Sequence, residues 1–388
     1  MKVVILNNQS RITGGADKHC FELAAQLREH GHEVVFLGTE SPERTEVGAF
    51  IPLGVTNESR DSIEAHRRAV IAARAVWNRS ALGAARQILE SFKPDVVHSH
   101  KLYPHLSVSP IVTFAKAGVP IVQTVHDYEF IAANTSDDQG GWRDRQENRA
   151  SYRALNTALF QIKKEIHVPA VSEWVAVSRA VSSIYADNGI ETTAIPNFTL
   201  MKSEDASDVS SRSGIFFAGR LSEVKGISEV IDVARALPDV QVRIAGGGPL
   251  EPEVLRAEED LPNLEYLGTL KQGELQSELE RSRVCLMPSK WQEPGPLASL
   301  EAMATGTPLV AYDVGGLSEY IQDAGAGLVV SPPDESLADA CSTLLLNEDK
   351  WAKASTNGKR AAETTHSVSS YVEKIVDIYH LAVRRVVN

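Results

Sequence analysis

Short apolar runs recur along this chain, each closed by glycine, proline or polar residues and followed by a stretch with helical spacing. Residues 2–6, 34–37, 95–100, 120–125 and 174–177 predict buried strands in the first half, and 214–218, 240–245, 263–267, 284–287 and 308–312 in the second. Between the first two strands, Cys20, Leu23, Ala24 and Leu27 fall on one helical face that Gly31 terminates. Strand, loop and helix in alternation predict α/β architecture with parallel sheets. Residues 60–93 predict one long basic helix carrying Arg60, Arg67, Arg68, Arg74, Arg79 and Arg86, and residues 134–164 a polar loop with Arg143, Arg145, Arg149 and Arg153 that leads into a helix.

At 388 residues the chain exceeds what one core usually organises. The alternation breaks at Ile195-Pro196-Asn197-Phe198, a polar run follows at 202–213, and a second alternation then begins. The expected organisation is residues 1–196, residues 197–365, and a last helix within 366–388 that packs back on the first domain.

The formal net charge is −12. In residues 1–200, 21 Lys and Arg face 22 Asp and Glu, so nearly all of the excess acid belongs to the second half. With no basic stripe interleaved with aromatics, nucleic acid is excluded as a partner. Cys20, Cys285 and Cys341 match no metal spacing and read as buried apolar residues. The short run at 2–6 is no leader and no span is long enough for a bilayer, so a cytoplasmic location is expected.

The densest chemistry lies in 291–306. After a buried strand, Glu293-Pro294-Gly295-Pro296 leads into a helix starting near Pro296 or Leu297, with Glu301 a turn along it. A helix N-terminus at the carboxyl end of a parallel strand suits a phosphate, while flanking carboxylates suit hydroxyls. That combination points to a diphosphate with sugars on either side. Arg220 and Lys225 straddle another loop before a helix, two cations placed to hold a diphosphate. Gly246-Gly247-Gly248-Pro249 and Gly14-Gly15 permit close backbone approach, although a full G-x-G-x-x-G is missing and no dinucleotide cofactor is indicated. His98, His100, His105, His126 and Asp127 share a sheet edge, but no further acid stands at ligand spacing, so hydrogen bonding is preferred to a metal site.

In this order and spacing the motifs resemble the family 4 retaining glycosyltransferases of the GT-B fold, two facing Rossmann-like doubly wound parallel-sheet domains with a cleft between them. The resemblance spans nearly the whole chain. It rests on Gly14-Gly15-Ala16, Thr124-Val125-His126-Asp127, Val177-Ser178, Ile195-Pro196-Asn197, Gly219-Arg220-Leu221 with Lys225-Gly226, Gly246 to Pro249, and the E-x7-E pair Glu293 and Glu301. It implies catalytic roles for His126, Arg220, Lys225 and Glu293, the two cations neutralising the departing diphosphate. It implies donor binding by Gly14, Gly15, Asn197, Gly219, Gly248, Leu270, Gly295, Pro296, Leu297 and Glu301. No metal or cofactor is expected. Where many relatives read Glu-x-Phe-Gly, this chain has Gly295-Pro296, so phosphate-facing N–H groups fall to Gly295, Leu297 or Ala298.

The function implied is transfer of a sugar, with retention, from a UDP- or GDP-sugar to a glycan or polyprenyl-linked acceptor in cell-envelope assembly, with peripheral contact at the inner membrane face. A nucleotide-sugar 2-epimerase of the same fold and a non-catalytic nucleotide-sugar-binding protein are the alternatives.

Overall fold

The computed structural model describes residues 1–40, 48–51, 65–132, 150–203, 211–331 and 335–387. Its frame is two parallel sheets. The first comprises β1 (Lys2–Leu6), β2 (Glu33–Thr39), β3 (Gly48–Ile51), β4 (Val96–Ser99), β5 (Ile121–Val125), β6 (Glu173–Ala176) and β7 (Thr193–Ala194), ordered β3-β2-β1-β4-β5-β6-β7. The second comprises β8 (Ile215–Ala218), β9 (Val242–Ala245), β10 (Leu264–Tyr266), β11 (Val284–Met287), β12 (Leu309–Tyr312) and β13 (Gly327–Val330), ordered β10-β9-β8-β11-β12-β13. Each order reverses beside its first strand, the doubly wound arrangement that opens a ligand crevice at the carboxyl strand ends.

Both faces of each sheet are covered, which explains the nearly continuous apolar strands. Alternate residues of β1 show how: Val3 and Ile5 pack with Cys20, Leu23 and Leu27 of the helix Gly15–Glu29, whereas Val4 and Leu6 pack with Ala81, Ala85 and Ile88 of the helix Arg79–Ser91. In the second sheet Phe216, Cys285 and Leu309 meet the helix Leu297–Ala304, while Ile215, Val284 and Val310 face the opposite layer. The C-terminal helix, Val368–Val387, returns to the first sheet and buries Tyr371, Ile375, Ile378 and Tyr379 against it. The crossing is stitched by Thr199 N–H to His366 O (3.1 Å) and by His366 Nδ1 to Asn197 O (2.9 Å).

One expectation needs correction. The basic stretch forms two helices, Ala65–Val76 and Arg79–Ser91, because the Asn78 side chain accepts from Ser80 N–H and Ala81 N–H and starts a new helix. The helix expected to start near Pro296 or Leu297 starts at Leu297, with Pro296 before it at ψ 126°, in the N-cap place. Residues 134–149, with Arg143, Arg145 and Arg149, and 204–210 of the polar run lie outside the described residues. The three cysteines are buried thiols outside any disulfide. Among the described residues no helix is long and apolar enough to cross a membrane.

Candidate active site

The carboxyl strand ends of both sheets converge on the loop 288–296. Gly14 and Gly15 begin the first long helix with no side chain capping them, and the helix Leu297–Ala304 is likewise uncapped. A Cβ on Gly15 would stand 3.7 Å from Leu297 Cγ, so the two bare N-termini lie close across the cleft. First-turn N–H groups of two helices that lack side-chain caps thus concentrate positive potential in one place.

Glu293 and Lys225, 68 residues apart, form one unit. The carboxylate is only 5% exposed, and its Oε1 accepts from Lys225 Nζ at 2.5 Å and from Ser289 Oγ at 2.6 Å. Lys225 ends a short 3-10 turn, Glu223–Lys225, and the left-handed Gly226 after it starts the next helix. Arg220 is exposed in the preceding loop. That loop is braced by the glycine turn: Leu221 N–H donates to Gly247 O (3.0 Å) and Leu250 N–H to Leu221 O (3.0 Å). A Cβ on Gly248 would lie 2.4 Å from Leu221 O, and Gly219 N–H donates to Ala245 O, so these glycines set the spacing between the two loops.

The second carboxylate, Glu301, is 6% exposed and pairs with Lys18 of the first helix; Gln272 Nε2 donates to it at 3.3 Å. Gln272 also accepts from Lys18 Nζ at 3.0 Å, and half-buried Leu270 packs in the core two residues earlier. Lys18 is a functional candidate that sequence reasoning missed. A lysine in the first turns of a helix opposes the macrodipole, and that misfit was the available signal.

Glu22, one turn from Lys18, titrates unusually. Burial, opposed by Lys18 and reinforced by Glu301, pushes its carboxyl from 4.5 up to about 7. An acid raised in the folded state costs stability once ionised, so stability falls as pH rises from about 4.5 to 7 and stays lowered above. Glu22→Gln is therefore expected to melt about 1–3 °C above the parent protein at pH 8 and together with it at pH 4, as calorimetry would show.

Asn197 holds the loop. Its Nδ2 donates to Gly295 O at 2.7 Å and its N–H to Tyr320 Oη at 3.0 Å, while Ser178 Oγ donates to Pro294 O at 2.6 Å. Ser178 also caps its helix, accepting from Val181 N–H. From β5, Tyr128 Oη donates to Gln292 O at 2.9 Å and its ring meets Trp291 edge-on. This places half-buried His126 and Asp127 beside the same loop. Burial opposes the charge of Asp127, but the Lys101 ammonium 3.1 Å away holds its carboxyl below the usual range.

His126 Nε2 and His100 Nδ1 lie 2.9 Å apart, and His19 and His98 join them in a buried cluster. His105 stays apart, donating its N–H to Asn8 Oδ1. Among the described residues no group of three His, Cys, Asp or Glu is arranged to hold a metal ion.

The family model "Glycosyltransferase Family 4" matches residues 13–199, and "Glycosyl transferases group 1" matches residues 205–361. A glycogen synthase of Mycobacterium tuberculosis is 26% identical over 358 residues, covering 83% of this chain and 80% of the relative. The sucrose-phosphate synthase of Thermosynechococcus elongatus superposes with a TM-score of 0.71 over 98% of each chain at 17% identity. Anabaena HepE in complex with UDP-glucose superposes with a TM-score of 0.65 over 97% of this chain and 99% of its own, also at 17% identity.

Proposed function

Because this chain belongs to glycosyltransferase family 4, we propose that it moves a sugar, with retention and without a metal, from a UDP- or GDP-sugar to a hydroxyl of a glycan or polyprenyl-linked acceptor. The observation that carries this reading is the approach of the uncapped N-termini at Gly15 and Leu297 beside the loops of Arg220 and Lys225. A diphosphate bridging them meets N–H groups and two cations, and needs no divalent ion to offset its charge.

When the bond from the anomeric carbon to the diphosphate breaks, its electron pair leaves with the phosphate oxygen. Fixed donors stabilise that growing charge without reorganising, which lowers the barrier. Glu293, anchored by Lys225 and Ser289, takes hydroxyls of the donor sugar, and Glu301 those of the ribose. Leu270 and the residues around it frame the base from the β10 end. His126 faces the sugar from the opposite domain. Anabaena HepE, which shares this fold, is described in complex with UDP-glucose, which favours a uridine donor.

The acceptor belongs to the first domain. Exposed Ile12, Val70 and Trp77, with exposed Arg79 close to Trp77, give this domain an apolar and basic surface suited to a lipid-linked acceptor at an anionic membrane. A role in cell-envelope glycan or glycolipid assembly follows from such an acceptor.

Incubation with candidate nucleotide sugars and extracted acceptors, followed by NMR of the anomeric proton, tests the reaction. A product with the donor's anomeric configuration and stoichiometric nucleoside diphosphate is expected. An epimerised nucleotide sugar formed without acceptor would point to the epimerase instead.

A further inference from the structure

His126 does not stand alone at the cleft. Its Nε2 shares a hydrogen bond with His100 Nδ1 at 2.9 Å, their rings stack with centroids 5.3 Å apart, and His100 is 1% exposed. The other nitrogen of His100, Nε2, is buried with no hydrogen-bond partner. A buried N–H without an acceptor is far rarer than a buried lone pair without a donor. The single proton of a neutral His100 therefore sits on Nδ1 and is donated to His126 Nε2.

Both rings are neutral. Burial first, and then the surrounding imidazoles, hold His100 well below its ordinary value. The same holds for His126, against which burial, His19, Lys101 and His98 act together. From the flanking elements, His19 in the first helix is 5.3 Å away edge-on, and His98 on β4 lies 4.2 Å from His100 between Thr124 Oγ1 and Tyr379 Oη. None of these groups supplies an anion to stabilise an imidazolium. A neutral His126 that accepts at Nε2 must carry its own proton on Nδ1, the nitrogen left for a ligand.

We propose that His100 is the positioning residue that fixes the tautomer of His126, so that His126 meets its ligand as a neutral Nδ1–H donor. The ligand atom opposite must then be an acceptor, such as a sugar oxygen offering a lone pair, and not a hydroxyl offering its proton. The claim that this ligand is the donor sugar rests on the function proposed above; the tautomer itself does not.

Long-range ¹H–¹⁵N spectra of the full-length, ¹⁵N-histidine-labelled protein decide the matter, with His126 assigned by its loss in His126→Asn. The expected result is a neutral Nδ1–H form in the parent protein, retained in His100→Gln, whose amide N–H can donate to the same nitrogen. In His100→Glu, whose carboxylate can only accept, Nε2 of His126 should become protonated, with kcat/KM about tenfold lower, while His100→Gln stays within about threefold. A proton on Nε2 of His126 in the parent protein overturns the proposal, as does a bare Nε2 on His126 in His100→Glu. Should His100→Glu not fold, the parent protein and His100→Gln still decide it. If the tautomer is as expected while His126→Ala leaves donor KM and kcat untouched, the assignment to His100 stands and the donor-contact reading falls.

Discussion

Arg220→Ala is expected to lose about 10²- to 10³-fold in kcat while melting at the temperature of the parent protein. The side chain is exposed in the loop after β8, so its removal opens no cavity in the core. Its function is to supply a fixed charge where the departing diphosphate becomes more negative. Lys225→Ala should lose as much in turnover but also in stability, because Glu293 is 5% exposed and Lys225 is its cationic partner at 2.5 Å. Stranding a buried carboxylate in this way costs about 3–5 kcal/mol. The double variant Lys225→Met with Glu293→Gln removes both charges and should recover most of the stability without recovering turnover. Steady-state kinetics beside thermal melts separate the two effects. Full activity in Arg220→Ala would remove the diphosphate from this loop.

Gly316→Ala should be the most damaging substitution of a residue that offers no functional group. A Cβ there would stand 2.1 Å from Pro294 O and 2.7 Å from Ser178 Oγ, at the point where the first domain grips the 293–296 loop. Gly316 N–H also donates to Glu293 O at 2.6 Å, so the backbone cannot retreat without carrying Glu293 with it. Overpacking of this kind costs about 1–3 kcal/mol, and displacing a positioned carboxylate by about 1 Å costs about 10²-fold in rate. Gly83→Ala is the control. It lies in a helix with open space around the new methyl, and should gain about 0.5–1 kcal/mol with unchanged kinetics. Equal activity in the two variants would show that the loop does not need the grip of Ser178 and Gly316.

How far the sequence led depends on the distance over which each feature is encoded. Strands buried on both faces announce themselves as apolar runs, so the central strands of both sheets were legible. The edge strands β3, β7 and β13 were not: β7 is two residues long, and β13 is mostly half-buried and shows no clean run. Splitting the basic stretch required giving Asn78-Arg79-Ser80 the weight of a cap over the apolar spacing that runs through it. In the site, residue types and strand ends were readable because phosphate and hydroxyl chemistry restricts the choice. Partnerships were not. Lys225 with Glu293 and Lys18 with Glu301 join positions 68 and 283 residues apart, and spacing carries no record of which cation meets which carboxylate. Asn197 is the sharpest case, since a residue expected at the donor spends its side-chain amide on Gly295 O and both main-chain groups on Tyr320 and His366.

Calorimetric titration of UDP, GDP and ADP into the parent protein and into Arg220→Ala, each with and without EDTA, tests the diphosphate cleft most directly. The account predicts that one nucleoside diphosphate binds the parent protein, that EDTA leaves its affinity unchanged, and that Arg220→Ala weakens it by about tenfold or more. Binding that vanishes with EDTA, or that is indifferent to Arg220, would contradict it.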